Sequence, residues 1–189
     1  MKKRIVIFAS GSGSNALNLI QHYKANQMAE VLMVFCNKAE AGVLSKAQAE
    51  QVPTRVFNRH DFYETDRIIQ EVSALSVDVV VLAGFLWLVP TDFIRAFEGK
   101  IINLHPSLLP KYGGKGMYGH HVHEAVLAAK ETHTGITIHL VNEQFDQGEI
   151  VFQTAFPIQA GDGLAEVEAK IHVLEHQYLP IVIDGFLNQ

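Results

Sequence analysis

An amide and an imidazole stand two residues apart in Ile101-Ile102-Asn103-Leu104-His105-Pro106. An amide N–H can hold a developing oxyanion, and an imidazole can move a proton near neutral pH. In a strand, that spacing puts both side chains on one face. Ile101, Ile102 and Leu104 argue for a strand buried on both faces. Pro106 has no N–H for a sheet and pushes His105 away from helical angles, so the strand stops there. The pair thus leaves the C-terminal end of a strand, where open α/β sheets place their ligands.

A second candidate is Ser10-Gly11-Ser12-Gly13-Ser14-Asn15, between an apolar run at 4–9 and a helical pattern from Ala16, with Ser14 or Asn15 expected to cap the helix. Glycines allow close backbone approach, and free N–H groups at a helix start favour an anion. A dinucleotide site would need an acidic residue about 20 further on to hold a ribose. Cys36-Asn37 stands there, with Glu40 the nearest acid, so a nicotinamide cofactor is disfavoured.

Other polar groups are ambiguous alone. Asp146, beside Gln147-Gly148, fits ordinary turn chemistry. His120-His121-x-His123 invites a metal, but without a Cys or a clear carboxylate partner it reads as a solvated helix start, and no metal is expected. Glu175-His176 falls off the apolar stripe 164/167/171/174/178 and reads as a solvated helix face. Phe85-Leu86-Trp87-Leu88-Val89 is either core or an apolar slot for a flat ligand.

The elements that must position these groups follow from pattern. Unalternating apolar runs predict buried strands over 4–9, 31–36, 54–57, 77–84 and 101–105. Between them, helices are predicted from 16, over 42–50, 63–75 and 90–97. Residues 111–119 hold four glycines and read as a mobile loop near the site, and 121–130 as a helix. Segments 135–141 and 149–157 predict an antiparallel pair at the sheet edge. A last helix starts near Asp162, and Pro180 should bend or end it. The expected fold is α/β, a single-domain Rossmann-like open sheet, mostly parallel with an antiparallel edge pair.

Composition narrows the class. The 189 residues suit about one domain, and 48 % hydrophobic with 19 % charged residues excludes disorder. A net charge of -5 argues against a nucleic-acid surface. The single Cys36 excludes an internal disulfide and fits a reducing compartment. No run is long enough to span a membrane, and the N-terminal apolar run is too short for a signal peptide, so a cytoplasmic protein is expected.

Taken whole, Asn103-Leu104-His105-Pro106-Ser107-Leu108-Leu109-Pro110-Lys111-Tyr112-Gly113-Gly114 closely resembles the catalytic strand of the folate-dependent formyltransferases, and the resemblance runs from Arg4 to about Phe186. It implies a formyltransferase domain over 1–189 and, as the activity, formyl transfer from 10-formyltetrahydrofolate, a co-substrate, to the amine of glycinamide ribonucleotide in purine synthesis. Partners would be these small molecules, with no nucleic acid, membrane or metal, in a monomer or weak homodimer. Asn103, His105 and Asp146 would be catalytic, with Asp146 raising the His105 pKa. Gly13, Ser14 and Asn15 would hold the substrate phosphate. Leu86, Trp87, Leu88 and Val89, with Asn103 and Asn142, Glu143, Gln144, Phe145 and Asp146, would hold the folate. His172, Val173, Leu174 and Glu175 would hold the ribonucleotide. His121, His139 and Arg59 would support them, and His123 would also flank the cleft. Many members have Arg where Trp87 stands, and the loop 113–119 is longer than in many. Family members acting on charged tRNA, sugar nucleotides or water mostly carry a further domain, for which this chain has no room, and the hydrolase replaces Pro106 by His. A non-catalytic Rossmann-type module is the alternative from another class, disfavoured by the missing ribose-binding acid.

Overall fold

The structure, a computed structural model, describes residues 2–144 and 146–188. Its sheet has seven strands: β1 (Lys3–Ala9), β2 (Ala29–Cys36), β3 (Thr54–Val56), β4 (Val79–Leu82), β5 (Ile101–His105), β6 (His133–Leu140) and β7 (Ile150–Pro157). They lie in the order β3-β2-β1-β4-β5-β6-β7. The first five are mutually parallel, whereas β6 runs antiparallel to both β5 and β7. The predicted edge pair is therefore present, and its inner strand also reverses direction against β5.

Seven helices flank the sheet among the described residues: α1 (Ser14–Asn26), α2 (Gly42–Ala49), α3 (Arg59–Tyr63), α4 (Arg67–Ala74), α5 (Thr91–Ala96), α6 (His120–Ala128) and α7 (Leu164–Leu187). The sheet's two faces bury different sets. Ile5, Ile7 and Ala9 of β1 pack with Leu19 and Ile20 of α1, Val43 of α2 and Ile171, Leu179 and Ile183 of α7. Val6 and Phe8 point the other way, to Phe62 of α3, Val72 of α4 and Phe93 of α5. A strand covered on both faces must be apolar at every position, which is why β1 shows no alternation. Phe8 anchors its face, stacked on Phe35 at 4.8 Å and meeting Phe57, Phe62, Phe85 and Phe93 within 6.2 Å.

Two helices differ from expectation. The helix predicted over 63–75 is α4 alone; residues 59–63 form α3, capped by Asn58, whose Oδ1 accepts the Asp61 N–H. The final helix does not end at Pro180 but continues to Leu187. Burial of Leu179, Pro180, Ile183 and Leu187 outweighs the lost backbone hydrogen bond. No helix is long and apolar enough to cross a membrane among the described residues.

Candidate active site

Strand pairing sets the centre. Asn103 on β5 lies opposite His139 on β6, and His105 lies opposite Thr137. Asn103 Nδ2 donates to His139 Nε2 at 3.0 Å. His139 Nδ1 donates to the Leu140 carbonyl at 2.8 Å, so its Nε2 is the acceptor nitrogen. The turn after β6 returns Asp146 onto this pair. Its Oδ1 lies 3.4 Å from Asn103 Nδ2, and its Oδ2 accepts the Gly114 N–H at 2.9 Å. His105 Nε2 donates to the Tyr112 carbonyl at 2.8 Å, while His105 Nδ1 faces Asp146 Oδ2 at 3.7 Å. Asn103, His105, His139 and Asp146 are thus one cluster, as expected.

The turn is possible because of one glycine. A Cβ on Gly148 would sit 1.6 Å from the Leu140 carbonyl oxygen. Asp146 itself has φ +52°, the left-handed region that aspartate tolerates better than most residues.

Asp146 favours the charged form of His105, as expected, but the net shift runs the other way. Burial pulls the His105 pKa below its ordinary value, outweighing Asp146 and the Tyr112 carbonyl, which favour the cation. His105 is therefore neutral near pH 7, with its proton on Nε2 and a lone pair on Nδ1. Burial pushes the Asp146 carboxyl up, but His139, His105 and the Gly114 N–H together outweigh it, so Asp146 stays ionised.

At the other end of the site, α1 begins without a side-chain cap. Gly13, not Ser14 or Asn15, is the N-cap, with φ +75°. A Cβ there would lie 2.5 Å from Val43 Cβ, so packing of α2 against the turn also demands glycine. The first N–H groups of α1 stay free for an anion. The Asn15 side chain does other work: its Nδ2 donates to Glu175 Oε2 at 2.9 Å. Glu175 is buried, not on a solvated face, and its Oε2 also lies 3.0 Å from His172 Nδ1. That contact, more than burial opposes it, raises the His172 pKa.

One cleft of about 930 Å³ joins these parts. Gly13, Ser14, Asn15, Arg59, the 86–89 segment, Asn103, His105, His139, Asn142, Gln144, Asp146, His172 and Glu175 all line it. Four proposed site residues do not. Glu143 turns away to Arg95 at 3.2 Å. Val173 projects to solvent from the far side of α7, and Leu174 packs on the core beneath. His121 is exposed beside Glu124, while its neighbours His120 and His123 line the cleft instead. One helical turn carries adjacent residues about 100° apart, so only part of a histidine run can face inward. The folate-binding assignment of Phe145 falls outside the described residues.

Trp87 and Arg59 meet at the cleft's edge, the guanidinium 5.0 Å over the indole ring. Arg59 thus brings a cation next to the position that carries Arg in the resemblance. Sequence reasoning missed the Tyr112 carbonyl and the Gly114 N–H, both backbone groups of the 111–119 loop that no residue type announces. His120, His121 and Glu124 bring ligand atoms within 4.8 Å of one another at the start of α6. All three are exposed, and the partial positive charge of a helix start opposes a cation there.

A Rossmann-like sheet with amide, imidazole and carboxylate at a switch in strand direction, and an uncapped helix start across the cleft, has the arrangement of an enzyme site for a small ligand. The family model described as formyl transferase matches residues 3–183. The chain is 38 % identical to the phosphoribosylglycinamide formyltransferase of Haemophilus influenzae, over 97 % of this chain and 87 % of that one. It is 35 % identical to a chloroplastic phosphoribosylglycinamide formyltransferase of Vigna unguiculata, over its whole length but only 62 % of that protein. The crystal structure of the Brucella melitensis phosphoribosylglycinamide formyltransferase superposes with a TM-score of 0.89 at 38 % identity, covering 100 % of this chain and 97 % of that one. The chain belongs to the formyl transferase family.

Proposed function

We propose that the chain transfers the formyl group of 10-formyltetrahydrofolate to the primary amine of glycinamide ribonucleotide. The observation that carries this is the placement of Asn103, His105 and Asp146 on one wall of a cleft whose far end is the uncapped start of α1. The ribosyl phosphate belongs at those N–H groups, and the flat pteridine in the slot 86–89 beside Asn142 and Gln144.

The residues then have distinct tasks. As the amine's lone pair bonds to the formyl carbon, the carbonyl pair moves onto oxygen. Asn103 Nδ2 has one N–H firmly held by His139 and one only weakly by Asp146, and the weak one can turn to the oxyanion. Neutral His105 accepts the proton that the new C–N bond makes acidic at its Nδ1, directly or through a water held by Asp146. The resulting imidazolium, stabilised by the Asp146 carboxylate, returns that proton to the folate nitrogen as its C–N bond breaks and the oxyanion collapses to a carbonyl. No covalent enzyme intermediate is needed, and Cys36 stays buried on β2.

An assay of formyl transfer against a panel of amines tests the reading. Glycinamide ribonucleotide should be formylated at least about 10²-fold faster than an aminosugar nucleotide, charged tRNA or water. Faster hydrolysis, or preference for another amine, overturns it.

A further inference from the structure

The mechanism leaves one cleft histidine unused. His123 on α6 is 4 % exposed yet lines the cleft. Its Nδ1 is enclosed with no partner among the described residues. An enclosed N–H without an acceptor is costlier than an enclosed lone pair, so the ring proton belongs on Nε2, the nitrogen left to face the cleft. Burial lowers the His123 pKa, so the ring offers one neutral N–H and not a cation.

Its surroundings locate it along the substrate. The charged groups that act on the ring are Glu168, Glu175, His172 and His105, and all four line the same cleft as His123. Glu175 is tied to the phosphate loop through Asn15, and His105 marks the formyl carbon. His123 therefore shares one cleft with groups of the phosphate end and of the formyl end, close enough to both for their charge to act on it. The partners already available there divide by chemistry. Free N–H groups of α1 suit the phosphate, and the Glu175 carboxylate accepts from donors. The His123 N–H is a neutral, buried donor that an acceptor oxygen there can meet.

We propose that His123 Nε2–H donates to the amide carbonyl of the acceptor substrate and thereby fixes the amine over the formyl carbon. The inference rests on glycinamide ribonucleotide being the acceptor. It makes His123 a specificity-determining contact, since an acceptor lacking that carbonyl leaves a desolvated N–H unpaired.

The test pairs two enzymes with two acceptors: the carbocyclic form of glycinamide ribonucleotide, and its counterpart with a methylene in place of the amide carbonyl. His123→Leu should lower kcat/KM for the carbonyl acceptor about 10- to 100-fold and leave KM for the formyl donor unchanged. His123→Gln, which keeps an N–H at the same reach, should restore most of it. Wild-type enzyme should already be slow with the methylene acceptor, and His123→Leu should cost nothing more there. An equal loss on both acceptors overturns the contact, as does a loss that Gln does not restore. If the Leu variant does not fold, His123→Met, which likewise has no N–H, carries the same comparison. If wild-type enzyme formylates neither acceptor, it is the substrate reading that fails.

Discussion

His105 Nδ1 and Asp146 Oδ2 lie 3.7 Å apart, too far for a hydrogen bond and close enough for charge to act. With Nε2 anchored on the Tyr112 carbonyl, the reactive nitrogen of His105 looks past the carboxylate into the cleft. Asp146 therefore tunes His105 without consuming its lone pair.

Removing that charge should move the pH profile. The active form in the proposed scheme has neutral His105, so activity falls as pH drops through the His105 pKa. Burial lowers this pKa and Asp146 partly restores it. Asp146→Asn, which still tolerates the left-handed backbone, should shift the acidic limb of kcat/KM to lower pH and cut the plateau about 10²-fold or more. An unmoved limb removes Asp146 from the proton path.

Gly148→Ala should disable the site while sparing the core. Its methyl would meet the Leu140 carbonyl at 1.6 Å, so the turn bearing Asp146 must move off β6. The expected result is a loss of about 10²-fold in turnover with little change in Tm, read by steady-state kinetics and thermal unfolding. Normal turnover shows that the turn has another way to close.

Glu175→Gln should act on the acceptor end alone. Glu175 takes the Asn15 amide and faces His172 in a buried position. Loss of its charge should raise KM for glycinamide ribonucleotide about tenfold and leave KM for the formyl donor unaltered. Isothermal titration with each substrate separately distinguishes the two ends, and equal weakening of both contradicts the assignment.

The stability carried by His105 and His123 should fall on acidification. The folded pKa values of His105 and His123 both lie below the ordinary histidine value of about 6.5. Below about pH 6.5 the unfolded chain takes up protons that the folded protein resists, so stability is lost as pH falls toward the folded values. His172, with its raised pKa, contributes in the opposite sense, so the test is a difference: in denaturant unfolding from pH 7.5 to 5.5, His123→Gln should lose less stability than the unaltered protein. A variant with an unaltered slope excludes His123 as a source.

Phe8→Ala should cost about 3–5 kcal/mol, because the ring is enclosed by five other phenylalanines. Chemical unfolding measures it directly.

Much of this molecule was legible before any coordinates. Strands buried on both faces announce themselves by unbroken apolar runs, and Pro106 marks where β5 stops, so the Asn103/His105 pair could be placed at a strand end. Asp146 could not be told from a turn residue by its neighbours; only the resemblance to formyltransferases singled it out, because its meeting with β5 depends on β6 pairing backwards. Glu175 was hidden for a similar reason. Periodicity along α7 put it beside the apolar stripe, and it is buried by Asn15, 160 residues earlier in the chain. Pro180 does not end the last helix, because tertiary burial overrode a local preference. Backbone partners such as the Tyr112 carbonyl carry no signature in residue type.

The central claim is that His105 moves the proton in formyl transfer. Single-turnover transfer from 10-formyltetrahydrofolate to glycinamide ribonucleotide by His105→Asn, with folding checked by circular dichroism, tests it most directly. The expected rate is at least about 10²-fold below that of the unaltered enzyme. A folded variant that transfers the formyl group at near-native rate contradicts it.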